Sequence, residues 1–432
     1  MPDTPTDSRL VIWVVNPFDD VPGEDLPPMR YWSLCRALAA RGHDVTWWSA
    51  DWSHRRKQRR TPPAGVREAE GFALELVPVR PYVRNVSPAR IASHRDFGRN
   101  FLRRAHGLVS SGAIHRPDVI LASLPPLEGP EAAARLARAL GARFVLDVMD
   151  LWPETFERLL RGPQWLRRVA GRLVLGRMRD RRRALVVAAD AISAATHTYL
   201  DATVGSARLD LPRHVCYLGA DLEPQAAAGR DTPPRIADTL ECVYAGSLEA
   251  GQDIETLAAA AKLLAERGES VTLHVAGTGR LEPTLRAAAA TLQGRCQLVV
   301  HGLLPADRYR SLLAACDVGL VLVKPESCVA VPYKACDYAA AGLALVNSLP
   351  GELTQLMERH GAGLAYTAGD AGSLAAAISR LAADRRLLAA MRDGSRGLAA
   401  AVFDRQITYA RFAGWLETVD AAIWPASPER VS

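Results

Sequence analysis

Lysine is nearly missing from this chain of 432 residues: of 53 basic residues 49 are arginine, and the lysines are Lys57, Lys262, Lys324 and Lys334. Each lysine therefore asks for a reason, since a compact ammonium serves where a planar guanidinium does not fit. Aromatic residues make up only 6%. The arginines lack the interleaved stacking residues of a single-strand binder, so a pI near 9.0 does not by itself argue for nucleic acid. No stretch of eighteen apolar residues runs without a charge, which leaves no spanning helix. The seven cysteines form no C-x-x-C pair and have no histidine at zinc spacing; they read as buried small apolar residues in a reducing compartment, with no metal site. The start, "MPDTPTDSRLVIWVVNP", is acidic and proline-bearing with a short apolar run, so it reads as a ragged terminus feeding a strand and not as a signal peptide. A cytoplasmic address follows.

What is present is a rhythm. Apolar or β-branched runs at 9–15, 44–50, 72–79, 118–123 and 143–149 alternate with helical patterns such as "MRYWSLCRALAARG" and "PEAAARLARALG". The rhythm restarts near 205–215, with strands expected at 240–246, 271–277, 296–302 and 317–323 and helices between them. Three more helical segments are expected after residue 342, the last being "FDRQITYARFAGWLETVDAAIW". Such alternation predicts an α/β fold with parallel sheets covered on both faces, in two halves of similar length. The final "PASPERVS" reads as a disordered tail.

Charge is uneven. Residues 1–215 hold 33 basic against 23 acidic side chains, while the remainder holds 20 against 24. Two clusters dominate: "HRRKQRR" at 54–60, and residues 158–183, with ten arginines and one acid among leucines and Trp165. The second reads either as a helix packed by its apolar face or as a basic amphipathic helix on an anionic membrane.

Open α/β sheets bind ligands beyond the carboxyl ends of their strands. After the first strand the G-x-G-x-x-G dinucleotide fingerprint is absent; Gly23 and Glu24 stand instead in a proline-flanked turn, either an ordinary loop or a holder of phosphate or sugar hydroxyls. After the fifth strand, "DVMDLWPE" sets Asp147 and Asp150 beside Trp152, two carboxylates and an apolar face of the kind carbohydrate recognition uses. Asp150 leads as the catalytic candidate, with helix capping as its alternative. In the second half "YAGSL" and "AGTGRLEPTL" bring Gly246, Ser247, Gly277, Gly279 and Arg280 to strand ends, where glycine lets backbone approach a diphosphate.

The stretch "VPYKACDYAAAGLALVNSLPGEL" (331–353) is the most informative. Pro332 suits a first helical turn, Gly342 a stop, and Lys334 and Asp337 fall on one helical face with Tyr338 alongside. Asp337 offers two oxygens to the vicinal diol of a ribose, and Lys334 a point charge to a phosphate. The alternative is a surface ion pair.

These residues resemble retaining, nucleotide-sugar-dependent glycosyltransferases of family 4, in the segments "GSLEAGQDIETLAAAAKLL", "VAGTGRLEPTL", "VVHGLLPADRYRSLLAACDVGLV", "VPYKACDYAAAGLALVN" and "GELTQLMERHGAGLAYTAGDAGSLAAAISRLAADRRLLAAMRDGSR". "PPMRYWSLCRALAARGHDVTWWSADWSHRRK" and "LDVMDLWPE" resemble a branch found with bacterial surface polysaccharides. The resemblance implies a GT-B fold of two facing Rossmann-like domains: an acceptor domain over 1–210, a donor domain over 211–400, a helix over 401–424 returning to the first domain, and a tail over 425–432. It implies sugar transfer with retention and without a metal or other cofactor, from a nucleoside-diphosphate sugar to a glycan or polyprenyl-diphosphate-linked acceptor. The second acid of the family's E-x7-E element falls on Asp337, but the first falls on Val329, and the usual phosphate-binding arginine and lysine fall on Ser247 and Gln252. Lys334, Lys324 and Arg280 are then the candidates to replace that clamp. A lipid-linked acceptor favours the membrane reading of 158–183 and a peripheral position at the inner membrane face. Competing readings are a nucleotide-sugar 2-epimerase on the same fold, a nucleic-acid binder, and a transferase relative that binds without catalysing.

Overall fold

A computed structural model describes residues 9–24, 28–61, 65–157, 171, 175–205, 210–222 and 238–421. The chain divides into two compact units, Met1–Cys216 with Gln406–Ser432, and Tyr217–Arg405.

The first unit carries β1 (Val11–Val15), β2 (Asp44–Ala50), β3 (Ala73–Val77), β4 (Val119–Leu124), β5 (Arg143–Val148), β6 (Ala191–Ala194) and β7 (Arg213–Val215), parallel throughout in the order β3-β2-β1-β4-β5-β6-β7. The second carries β8 (Leu240–Ala245), β9 (Val271–Ala276), β10 (Gln297–Gly302), β11 (Val318–Val321), β12 (Ala344–Asn347) and β13 (Gly363–Ala365), parallel in the order β10-β9-β8-β11-β12-β13. Both are doubly wound, and strand order reverses between β1 and β4 and between β8 and β11. Those reversals open the crevices in which such sheets hold ligands. β2, β4, β8 and β9 are buried along their whole length, which is why they read as apolar runs without alternation.

The nine expected strands are found within a few residues of their expected bounds. β6, β7, β12 and β13 have three or four residues each, too few to show a period. Among the described residues four α-helices, not three, follow residue 342, Glu352–His360, Ala371–Ala383, Arg385–Leu398 and Arg405–Ala421, with a π-helical turn Ala399–Phe403 before the last. The extra break is at Asp384, whose extended backbone ends one helix while its side chain caps the next through Leu387 N–H at 2.9 Å.

The last helix belongs to the first unit. Tyr409, Phe412, Ala413, Leu416 and Val419 recur at three- and four-residue spacing and are buried with Ile12, Leu34, Cys35 and Leu38. Glu417 accepts from Arg41 at 2.6 Å and lies 2.8 Å from His43 Nε2. The tail at 425–432 lies outside the described residues.

Candidate functional site

In the second unit the site grows from glycines. Gly246, just beyond β8, and Gly277, just beyond β9, take φ of 146° and 149°. A Cβ on Gly277 would lie 1.8 Å from the Gly246 carbonyl oxygen, so the two strand ends approach to a distance only glycine permits. Gly246 N–H donates to Ala276 O at 2.9 Å and Gly277 N–H to Gly302 O at 2.7 Å, carrying the ladder past the strands. A Cβ on Gly279 would meet Leu248 O at 2.5 Å. Ser247 contributes its carbonyl, which accepts from the Tyr244 hydroxyl at 2.8 Å.

The helix Tyr333–Ala340 presses on the same edge. Pro332 is its N-cap, and Gly342 follows its end with φ 69°. Tyr338 is buried; its hydroxyl accepts from Ala245 N–H at 2.6 Å, and its ring covers Gly319 of β11, where any Cβ would lie 2.4 Å away. Tyr338 thus fastens the helix to the end of β8 and does not line an open site. One turn earlier, this docking sets Lys334 over the Tyr244 ring, with Nζ 4.0 Å from the ring centre and 3.4 Å from Gln252 Oε1. A Cβ on Gly246 would lie 2.8 Å from the same Nζ.

Among the described residues no carboxylate pairs with Lys334. Loss of hydration pulls its ammonium down from 10.5 to about 7. The other two candidate cations are neutralised: Lys324 lies 3.2 Å from Glu255, and Arg280 is exposed and 2.9 Å from Glu249. Lys334 and Asp337 do not form the surface ion pair that was their alternative. Asp337 instead accepts from the Tyr309 hydroxyl at 3.3 Å, and burial raises its carboxyl to about 6 against the opposing charge of Arg405. Val329, where the resemblance places the first acid, donates its backbone N–H to Ser327 Oγ at 3.3 Å and brings no carboxylate. Tyr244, Gln252 and Tyr309 complete the setting. Sequence reading missed the two tyrosines, because buried aromatics near strands and helices ordinarily read as core.

In the first unit the candidate site residues are engaged within the fold. Asp147 is fully buried: Arg30 donates to both of its oxygens at 2.8 Å, Tyr31 Oη at 2.6 Å and Ser193 Oγ at 2.7 Å. Burial alone would raise its pKa, but Arg30 and these bonds outweigh that and lower it. Both oxygens of Asp147 are thus engaged inside the unit, where it serves as a structural anion. Asp150 Oδ1 accepts from Leu151 N–H at 2.8 Å and Thr155 Oγ1 at 3.1 Å, bonds within its own turn that go to no backbone N–H of the helix Glu154–Glu157. Trp152 is buried, with its ring 4.5 Å from Phe156 and 5.9 Å from His94, so it offers no open platform. Gly23 makes the turn with φ 89°, but Glu24 closes on its own loop, accepting from Val21 N–H at 2.9 Å and lying 3.4 Å from Arg60.

Of the Arg-rich run, residues 158–170 and 172–174 lie outside the described residues. In the described part Arg181 bonds Glu131 at 2.6 Å and Glu128 at 3.1 Å, and Arg182 bonds Glu154 at 2.6 Å, so these arginines serve the fold. Among the described residues no helix is long and apolar enough to cross a membrane.

Two family models match successive parts of the chain: "Glycosyl transferase 4-like domain" over residues 29–214 and "Glycosyl transferases group 1" over 239–384. The chain is a GT-B glycosyltransferase. This glycosyltransferase has no sequence match among curated proteins. Its fold matches solved structures at low identity. Sucrose-phosphate synthase from Thermosynechococcus elongatus is 15% identical with a TM-score of 0.67, covering 96% of this chain and all (100%) of that one. Anabaena Alr3699/HepE in complex with UDP is 16% identical with a TM-score of 0.63, covering 95% and 100%. A structure described as "Trehalose-6-phosphate from E. coli bound with UDP-2-fluoro glucose" is 14% identical with a TM-score of 0.64, covering 96% and 99%.

Proposed function

We propose that this glycosyltransferase takes its sugar from a nucleoside-diphosphate donor bound by the unit Tyr217–Arg405 at the reversal between β8 and β11. The observation that carries the reading is Lys334, a half-buried ammonium over Gly246 with no acid to neutralise it among the described residues. A diphosphate supplies the missing charge, and the glycine turns let backbone come close to it. Asp337 accepts the ribose diol. UDP is bound in the Anabaena Alr3699/HepE structure and UDP-2-fluoro glucose in the E. coli one, which supports this class of donor.

Chemically, the departing diphosphate must be stabilised and the developing positive charge at the anomeric carbon kept from water. Lys334 acts on the first of these: the bound diphosphate returns the proton to its desolvated amine, and that charge offsets the negative charge developing on the leaving group. We extend the reading to transfer with retention and without a metal. The acceptor class is a glycan or polyprenyl-diphosphate-linked sugar of bacterial surface polysaccharide, such as O-antigen, capsule or exopolysaccharide. The test is product formation from labelled sugar nucleotides, with and without chelator, against soluble and lipid-linked acceptors. Transfer that survives chelation supports the reading. Conversion of the donor sugar without any acceptor would show an epimerase, and binding without turnover a non-catalytic relative.

A further inference from the structure

Among the described residues, seven large apolar side chains stand out in water, and three of them fall close together: Val83, Val86 and Ile91, which are 76%, 66% and 51% exposed. The other four, Val187, Leu222, Leu303 and Ile407, are scattered along the chain. Residues 78–87 follow β3 and lead into the helix Pro88–Ser110, whose first turn holds Ile91 and whose cap is Ser87.

The exposure is built into the fold. Tyr82, next to Val83 in the chain, is buried, its carbonyl accepting from Trp52 Nε1 at 3.1 Å and its hydroxyl lying 2.6 Å from His54 Nδ1. Asn85 is held from both sides, by Lys57 Nζ at 2.6 Å on its side chain and Arg90 at 2.7 Å on its carbonyl. The loop is thus pinned to the segment after β2, and that segment is the basic run 54–60. Arg84 on the loop and Arg55, Arg56 and Arg59 on the segment pinned to it are exposed. Arg55 and Arg59 have partners in Asp20 and Asp51, whereas Arg56 and Arg84 have no acidic partner among the described residues.

Exposed apolar side chains with exposed arginines on the same loop and on the segment bonded to it match an interface with hydrocarbon below and phosphate at its surface. Water alone gives the valines no partner, and a free phosphate leaves them unused. We propose that the edge formed by residues 83–91 and 55–59 is a lipid-docking surface, with Val83, Val86 and Ile91 entering the headgroup layer of an anionic membrane and the arginines meeting its phosphates. This rests on the reading of a lipid-linked acceptor and assigns the membrane contact to a different surface from 158–183.

The experiment is flotation of the full chain with phosphatidylcholine vesicles, with and without about one third phosphatidylglycerol. The wild type, V83D/V86D/I91D, R56E/R84E and a charge-reversed 158–183 variant are compared, each checked by thermal unfolding with and without a nucleoside diphosphate. The expected result is binding to anionic vesicles only, weakened at least about tenfold in the first two variants, with the nucleotide-induced thermal shift intact. Binding unchanged in V83D/V86D/I91D, loss only in the 158–183 variant, equal binding to neutral vesicles, or no binding at all would overturn the proposal. The nucleotide shift reads the donor site separately in every case.

Discussion

Lys334 Nζ lies 4.0 Å from the centre of the Tyr244 ring, and among the described residues no carboxylate pairs with it. A positive charge held half-buried on an aromatic face costs stability until an anion arrives. Lys334→Met is therefore expected to raise the melting temperature of the ligand-free protein, by about 1 kcal/mol of stability, while removing stabilisation by nucleoside diphosphates. The sign follows from the lowered pKa. Between about 7 and 10.5 the folded protein holds fewer protons at this site than the unfolded chain, so its contribution rises with pH across that window. Thermal unfolding from pH 7 to 10 should show that slope in the wild type and a reduced slope in the variant.

Binding a diphosphate should return the proton. At pH 8 the unliganded amine is largely neutral, since its pKa is about 7, and a bound anion raises it. Calorimetric titration in two buffers of different ionisation enthalpy is expected to show uptake approaching one proton per nucleotide at pH 8, and less at pH 6. Lys334→Met should abolish the uptake. Uptake unchanged in the variant would assign the proton elsewhere.

For Asp337 the window is lower. Burial raises its carboxyl from 3.8 to about 6, so its contribution to stability is present below 3.8 and is lost as pH rises through about 6. The ionised form is the one that accepts two ribose hydroxyls. Nucleoside-diphosphate affinity should accordingly fall as pH drops below about 6. Asp337→Ala is expected to weaken UDP about 10- to 100-fold but 2′-deoxy-UDP much less, because that ligand has already lost one of the bonds. Equal losses for both ligands would remove the ribose role.

Gly277→Ala tests the backbone approach. Its Cβ would lie 1.8 Å from Gly246 O, at a φ of 149° that L residues rarely adopt. A loss of at least about 2 kcal/mol in denaturant unfolding is expected, together with weaker nucleotide binding. Gly251→Ala is the control: nothing lies within 4 Å of its added Cβ.

Much of this architecture is legible in the sequence, because strands buried on both faces leave apolar runs and the helices between them carry a clear period. The glycines at 246 and 277 are legible for the same physical reason that makes them necessary. Lys334 stood out by composition, since arginine serves almost everywhere else. What the sequence hides is partnership. Asp147 and Asp150 carry the residue types of a sugar site, yet Arg30, 117 positions away in the chain, engages the first, and the turn at Leu151 and Thr155 engages the second. Nothing local in "DVMDLWPE" reveals either. Tyr309 and Tyr244 were hidden conversely, as core-like residues that the fold sets beside the two charged groups.

The central claim is that Lys334 and Asp337 hold a nucleoside diphosphate in the unit Tyr217–Arg405. It is tested most directly by thermal unfolding of the wild type, Lys334→Met and Asp337→Ala against UDP, GDP, dTDP and ADP. A ligand at about 100 times its dissociation constant adds about 2.7 kcal/mol. The account predicts that at least one nucleoside diphosphate stabilises the wild type by this order and that both substitutions remove most of the effect. Stabilisation undiminished in both variants, or none by any of the four nucleotides, would contradict it.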